Sequence, residues 1–113
     1  MEWRCVVCGK HFRDSKEKPA ACPLCGVLSE FIVAEEDYER PSGGMSTVSK
    51  TSFDEAMELE IIATDKYHAA AESAKKEGDE TTRIFFAALA RNEFGHQKAI
   101  KYQLASRPGV KEG

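Results

Sequence analysis

A chain of 113 residues has room for one ordinary domain, or for two small ones that need a staple, and its 31% charged and 42% apolar residues are a globular mixture. Net charge is −3 with scattered basic residues, which excludes the concentrated positive field of a nucleic-acid binder. The longest apolar run, Ile84 to Ala90, is seven residues, far short of the roughly 20 a membrane helix needs. No basic stretch leads into an apolar one at the start, so a cytoplasmic protein without membrane or nucleic-acid partners is expected.

Residues 1–38 hold all four cysteines, as Cys5-Val-Val-Cys8-Gly9 and Cys22-Pro23-Leu24-Cys25-Gly26. A two-residue gap lets both thiolates of a pair face one metal ion, and the glycine after each second cysteine permits the turn. Disulfide staples are the alternative, but with no secretion signal a reduced compartment and one tetrahedral metal site are expected. The spacing selects a metal and leaves iron and zinc open. Extended pieces at Trp3–Val7 and Glu30–Ala34 predict a small β-rich module. His11 is expected to be exposed and outside a coordination shell that four cysteines complete.

Residues 39–51 (ERPSGGMSTVSKT) lack periodicity and read as a linker of thirteen residues. Fully extended, it reaches about 45 Å, enough to dock the module on its own chain or on a partner.

From Ser52 the pattern turns helical. Ser52 with Glu55 makes a capping box, and Phe53, Met57, Glu60, Thr64, Tyr67, Ala71 and Ala74 follow one seam. Gly78 ends that helix and Asp79 caps the next, whose seam carries Phe86, Leu89, Glu93, His96, Ile100 and Gln103 before Pro108. Residues 52–106 thus form a helical hairpin.

The glutamates in those seams call for a partner, because an ionised carboxylate in a core is stable only when paired or metal-bound. Glu93-Phe94-Gly95-His96 is the Glu-x-x-His element of ferritin-like di-iron bundles, and Glu60 stands in register on the preceding helix. One hairpin supplies half a site. Two hairpins about a two-fold axis supply four carboxylates and two imidazoles, whose charge two divalent cations balance. A homodimer or higher even oligomer is expected. Tyr67 is either simple core or a donor to a site glutamate.

Trp3-Arg4-Cys5-x-x-Cys8-Gly9, Pro19, Cys22-Pro23-x-Cys25-Gly26, Phe31 and the acidic stretch to Tyr38 resemble the rubredoxin-like domain of rubrerythrins. Glu60, Tyr67, Glu77-Gly78-Asp79 and Ala90-Arg91-Asn92-Glu93-x-x-His96 resemble the first half of the same family's bundle. Nearly the whole chain outside the linker is covered, with the modules in reversed order, as in reverse rubrerythrins, and without the second helix pair. The resemblance implies a mainly α fold: a hairpin dimerising into a ferritin-like four-helix bundle, with a rubredoxin-like module appended. It also implies iron at Cys5, Cys8, Cys22 and Cys25, with zinc acceptable on overexpression, and a di-iron site in which Glu93 bridges while Glu60 and His96 are terminal. The implied activity is that of an oxidoreductase acting on peroxide or dioxygen, fed by an unidentified electron donor. Lys10 replaces the family's usual aromatic, and Ala63 stands where rubrerythrins carry an exchangeable glutamate, which implies slow peroxide turnover. Fe(II) oxidation by an iron-handling protein, and a zinc-ribbon interaction protein with a dimerising hairpin, are the other readings.

Overall fold

The computed structural model describes residues 1–110. It is mostly helical, with a small antiparallel sheet at the N-terminus and two long helices. Strands β1 (Trp3–Cys5), β2 (His11–Phe12) and β3 (Ile32–Ala34) lie in the order β2-β1-β3. β1 pairs Trp3 with Phe12 and Cys5 with Ile32. It stops at Cys5, earlier than the Val7 expected, because the first knuckle turns there: Gly9 N–H donates to the Cys5 carbonyl at 2.9 Å with Gly9 at φ 80°.

Arg4 fastens this sheet. Its guanidinium donates to both Glu35 carboxylate oxygens, at 2.9 and 2.7 Å, and to the Gly9 carbonyl at 3.1 Å. The module's buried core is Cys5, Cys8, Cys22, Cys25 and Ile32, ringed by partly buried Trp3, Val7, Phe12, Leu24 and Val27. Four thiols and one isoleucine are a small apolar core for 38 residues.

Helix α1 runs Thr47–Glu77, longer at its start than the sequence pattern indicates. Its cap is Ser46, whose Oγ accepts from Ser49 N–H at 3.1 Å, and not Ser52. Ser52 lies inside the helix and donates back to the Val48 carbonyl at 3.0 Å. Met45, buried just before the cap, bonds through its N–H to the Gly109 carbonyl, and this anchor fixes where the helix begins. The connector is therefore shorter than 39–51, and it is not free. Arg40 donates to Ser106 Oγ at 2.9 Å and covers the Tyr102 ring, while Arg107 donates to the Gly44 carbonyl.

At the other end, Gly78 (φ 76°) closes α1 with its N–H on the Lys75 carbonyl, and Asp79 N–H reaches Ala74 O. Asp79 then caps α2 (Glu80–Ser106) through Thr82 N–H.

The hairpin has almost no core of its own. Its buried residues are Ala74, Ala90, Gly95 and Ser106. Leu59, Ile61, Ile62, Ile84, Phe85 and Phe94 remain exposed, since two helices can cover only the stripe between them. Tyr67 and Phe86 fill that stripe with ring centroids 6.0 Å apart. No helix among the described residues is long and apolar enough to cross a membrane.

Candidate metal centres

The two knuckles bring all four cysteine sulfurs to within 4.8 Å of one another, and all four residues are buried. Sulfurs of Cys5 and Cys25 lie 3.7 Å apart, those of Cys8 and Cys22 3.6 Å. A disulfide needs about 2.05 Å, so these are free thiols. A tetrahedron with metal–sulfur bonds of about 2.3 Å has sulfur–sulfur edges of about 3.8 Å. The cluster has that size, and it can hold one metal ion.

Backbone geometry repeats in the two knuckles. Gly26 N–H donates to the Cys22 carbonyl at 2.8 Å, as Gly9 does to Cys5, and both glycines take positive φ. The thiols divide in acidity. Hydrogen bonding with Cys8 pulls Cys5 down to about 5. The same contact, followed by burial, pushes Cys8 up, and burial pushes Cys25 up to about 11. Cys5 is shifted toward the thiolate while Cys8 and Cys25 are shifted toward the thiol, because adjacent thiolates repel one another when buried without a cation.

A pH dependence follows. At neutral pH Cys8 and Cys25 hold protons that a metal must displace, so metal and proton compete for the same sulfurs. Each displaced proton changes the apparent affinity by about tenfold per pH unit, so these two alone give about a hundredfold, weakening binding as pH falls. A competition titration with a chromogenic chelator between pH 8 and pH 6 should show that steep loss. A flat profile would mean the sulfurs are not the ligands.

The second cluster lies between the helices. Glu60 on α1 and Glu93 and His96 on α2 bring one ligand atom each to within 4.8 Å. His96 Nδ1 is 3.2 Å from Glu93 Oε2 and 3.4 Å from Glu60 Oε2. Glu60 Oε2 is closed off from solvent yet makes no hydrogen bond among the described residues. A shielded carboxylate oxygen with no donor, facing a second carboxylate and an imidazole, fits a cation. Enclosure is incomplete: the side chains of Glu60 and Glu93 are 25% and 17% exposed, and His96 is 45% exposed. The carboxylates expected to be buried in a bundle core are mostly but not fully covered within one chain.

Tyr67 packs on Phe86 and, among the described residues, makes no hydrogen bond to Glu60 or Glu93. His11 is not exposed as expected. Its side chain is 19% exposed, with Nε2 3.1 Å from Glu2 Oε1 and 3.7 Å from Glu35 Oε2, and it takes no part in the cysteine cluster.

Sequence reasoning passed over Gln97. Its Nε2 donates to Thr64 Oγ1 at 2.9 Å and approaches the Glu60 carbonyl, to which Thr64 Oγ1 also donates at 2.7 Å. The bridge fixes the register of the two helices one turn from the ligands. Its signal was a polar residue four places after Glu93, on the same seam.

No family model, curated protein or solved structure matches the chain. The likeness to rubrerythrins therefore rests on the quoted residues and on the two clusters themselves.

Proposed function

We propose that the chain is a rubrerythrin-like non-haem iron oxidoreductase, with a tetrathiolate iron at Cys5, Cys8, Cys22 and Cys25 and a di-iron site completed by a second copy of the hairpin. The observation that carries this reading is the convergence of Glu60 of α1, with an undonated carboxylate oxygen, on Glu93 and His96 of α2, the helix that also supports the cysteine module. A zinc-ribbon protein with a dimerising hairpin would have no reason to gather these three side chains. When bound, the irons supply one-electron chemistry toward peroxide or dioxygen.

The residues' own tasks can be assigned. Glu93 and Glu60 neutralise cation charge, and His96 presents Nδ1 to them. Gln97 and Thr64 hold the register that keeps Glu60 opposite Glu93. Leu24 and Leu89 line the cleft beside His96 with apolar surface, which limits water at the site.

Iron oxidation is a second reading from the same residues. Ala63 favours it, since this position offers no carboxylate to exchange with histidine. The four-cysteine cluster, taken alone, accepts zinc as readily as iron.

Protein purified anaerobically from its own host should contain one tetrathiolate iron per chain, coloured when oxidised and bleached on reduction. Mixing the reduced protein with hydrogen peroxide should return the colour at a rate independent of protein concentration. Colourless protein with one zinc per chain would decide for the ribbon. Undiminished turnover of Fe(II) and dioxygen by a Cys8→Ser variant would decide for iron handling.

A further inference from the structure

Gly95 occupies the middle of α2 with ordinary helical backbone, where glycine is about 1 kcal/mol less favourable than alanine. Its conformation does not require glycine, so its surroundings must. A Cβ there would lie 1.5 Å from the Leu24 carbonyl oxygen, 2.7 Å from its carbon and 3.3 Å from Cys25 Cα. The backbone of the second knuckle thus rests directly on α2, at the residue next to His96.

The contact continues along the same face. Ala99 packs against the cysteine core, the Tyr102 ring presses on Gly9 of the first knuckle, and Gln103 Nε2 donates to the Val7 carbonyl at 3.3 Å. One face of α2 therefore holds both knuckles while the adjacent face carries Glu93. Between them is a cleft of about 400 Å³, with Leu24, Cys25 and Gly26 on one side and Asn92, Glu93 and His96 on the other.

We propose that the second cysteine knuckle is a wall of the Glu93–His96 cleft of its own chain, seated there by Gly95, so that metal in the four-cysteine site strengthens cation binding at the acidic site. The proposal rests on the reading that Glu60, Glu93 and His96 bind a cation. A module whose core is four cysteines and one isoleucine loses its order when its metal leaves. The cleft then loses a wall, Glu93 and His96 regain rotamer freedom, and water raises the local dielectric between carboxylate and cation. Each step weakens the acidic site. Coupling is reciprocal, so a cation at the acidic site tightens the cysteine site by the same factor. Gly95 is a positioning residue, acting through the knuckle it admits.

Two measurements on the full chain test this. In the first, Mn(II) is titrated, with electron paramagnetic resonance detection, into protein carrying one zinc per chain, into zinc-free protein, and into zinc-loaded Gly95→Ala. The variant keeps every ligand and favours helix, so the hairpin persists, but its methyl group displaces the knuckle. Mn(II) affinity should fall about tenfold both in the zinc-free protein and in the variant. Equal affinity in all three overturns the coupling while leaving the acidic site standing. No Mn(II) binding to zinc-loaded wild type overturns the acidic-site reading and the coupling together. The second measurement needs no cation at the acidic site. Cobalt in place of zinc at the cysteines should shift the His96 ring resonances by its paramagnetism, and Gly95→Ala should reduce those shifts several-fold. Shifts absent from wild type, or unchanged in the variant, overturn the wall.

Discussion

Replacing Cys8 with serine is expected to strip the metal from the N-terminal cluster and to disorder residues 1–38 as a unit. The effect should far exceed that of an ordinary buried thiol, because Cys8 is both one of the four proposed ligands and a fifth of the module's buried core. Structural metal sites of this kind contribute an apparent 10–16 kcal/mol or so at neutral pH. A domain this small has only about 5 kcal/mol of net stability to lose. Losing even a part of the metal term should therefore unfold it. Metal stoichiometry should fall from one per chain to near zero. Amide exchange should lose protection at Cys5, Gly9, Cys22 and Gly26, the positions whose N–H groups close the knuckles and the sheet. The hairpin's helical signal should largely remain, since the α1–α2 caps at Gly78 and Asp79 and the Gln97–Thr64 bridge do not involve the module. A variant that retained one tightly held metal and a dispersed spectrum for residues 1–38 would show that the fold does not depend on four sulfurs.

What the sequence disclosed, and what it hid, divides along a physical line. Cysteine spacing, the Gly78–Asp79 junction and the seam carrying Glu60, Glu93 and His96 are local or periodic features, and the two clusters assemble as spacing and period imply. The start of α1 was hidden because Ser46, Ser49 and Ser52 all offer capping oxygens within two turns. Ser52 with Glu55 satisfies the local rule as well as Ser46 does. The choice falls to Met45, buried against the chain's far end near Gly109, a contact across more than 60 residues that no local pattern carries. Gly95 stands inside a helical pattern, where sequence alone assigns it only a local cost. Its neighbour Leu24 could not be named from sequence, because the docking of the module on α2 has no period. The same holds for Arg40 and Ser106, which fasten the connector that the sequence presents as free.

Glu93→Ala is expected to abolish cation binding between the helices while leaving the proposed dimer intact, or even more stable without metal. The reasoning begins with charge. Each hairpin brings Glu60 and Glu93 together with only His96 as a partner, at 3.4 and 3.2 Å. Pairing two hairpins would place four carboxylates in one desolvated space. Without metal, such groups repel one another and resist ionisation, so removing one per chain relieves strain in the apo state. With metal, Glu93 is the carboxylate that the resemblance makes bridging, and its loss should weaken binding by more than the 10–100-fold or so that outer-shell substitutions produce. In the proposed dimer the apolar faces would drive pairing independently of metal. Leu59, Ile62 and Phe85 stay 67%, 44% and 57% exposed in one chain, apolar surface that a second hairpin would cover. Analytical ultracentrifugation should find an even-numbered assembly for wild type and variant alike. With the cysteine clusters already filled by zinc, calorimetric titration with Fe(II) or Mn(II), under anaerobic conditions, should find two ions per pair of wild-type chains and none between the helices of the variant. The decisive contrary result is a wild-type monomer at micromolar concentration that, with its cysteine cluster already filled by zinc, still binds two further ions tightly. Three ligand atoms on two helices cannot enclose two cations, so that outcome would require ligands from elsewhere in the chain and would remove the paired bundle altogether.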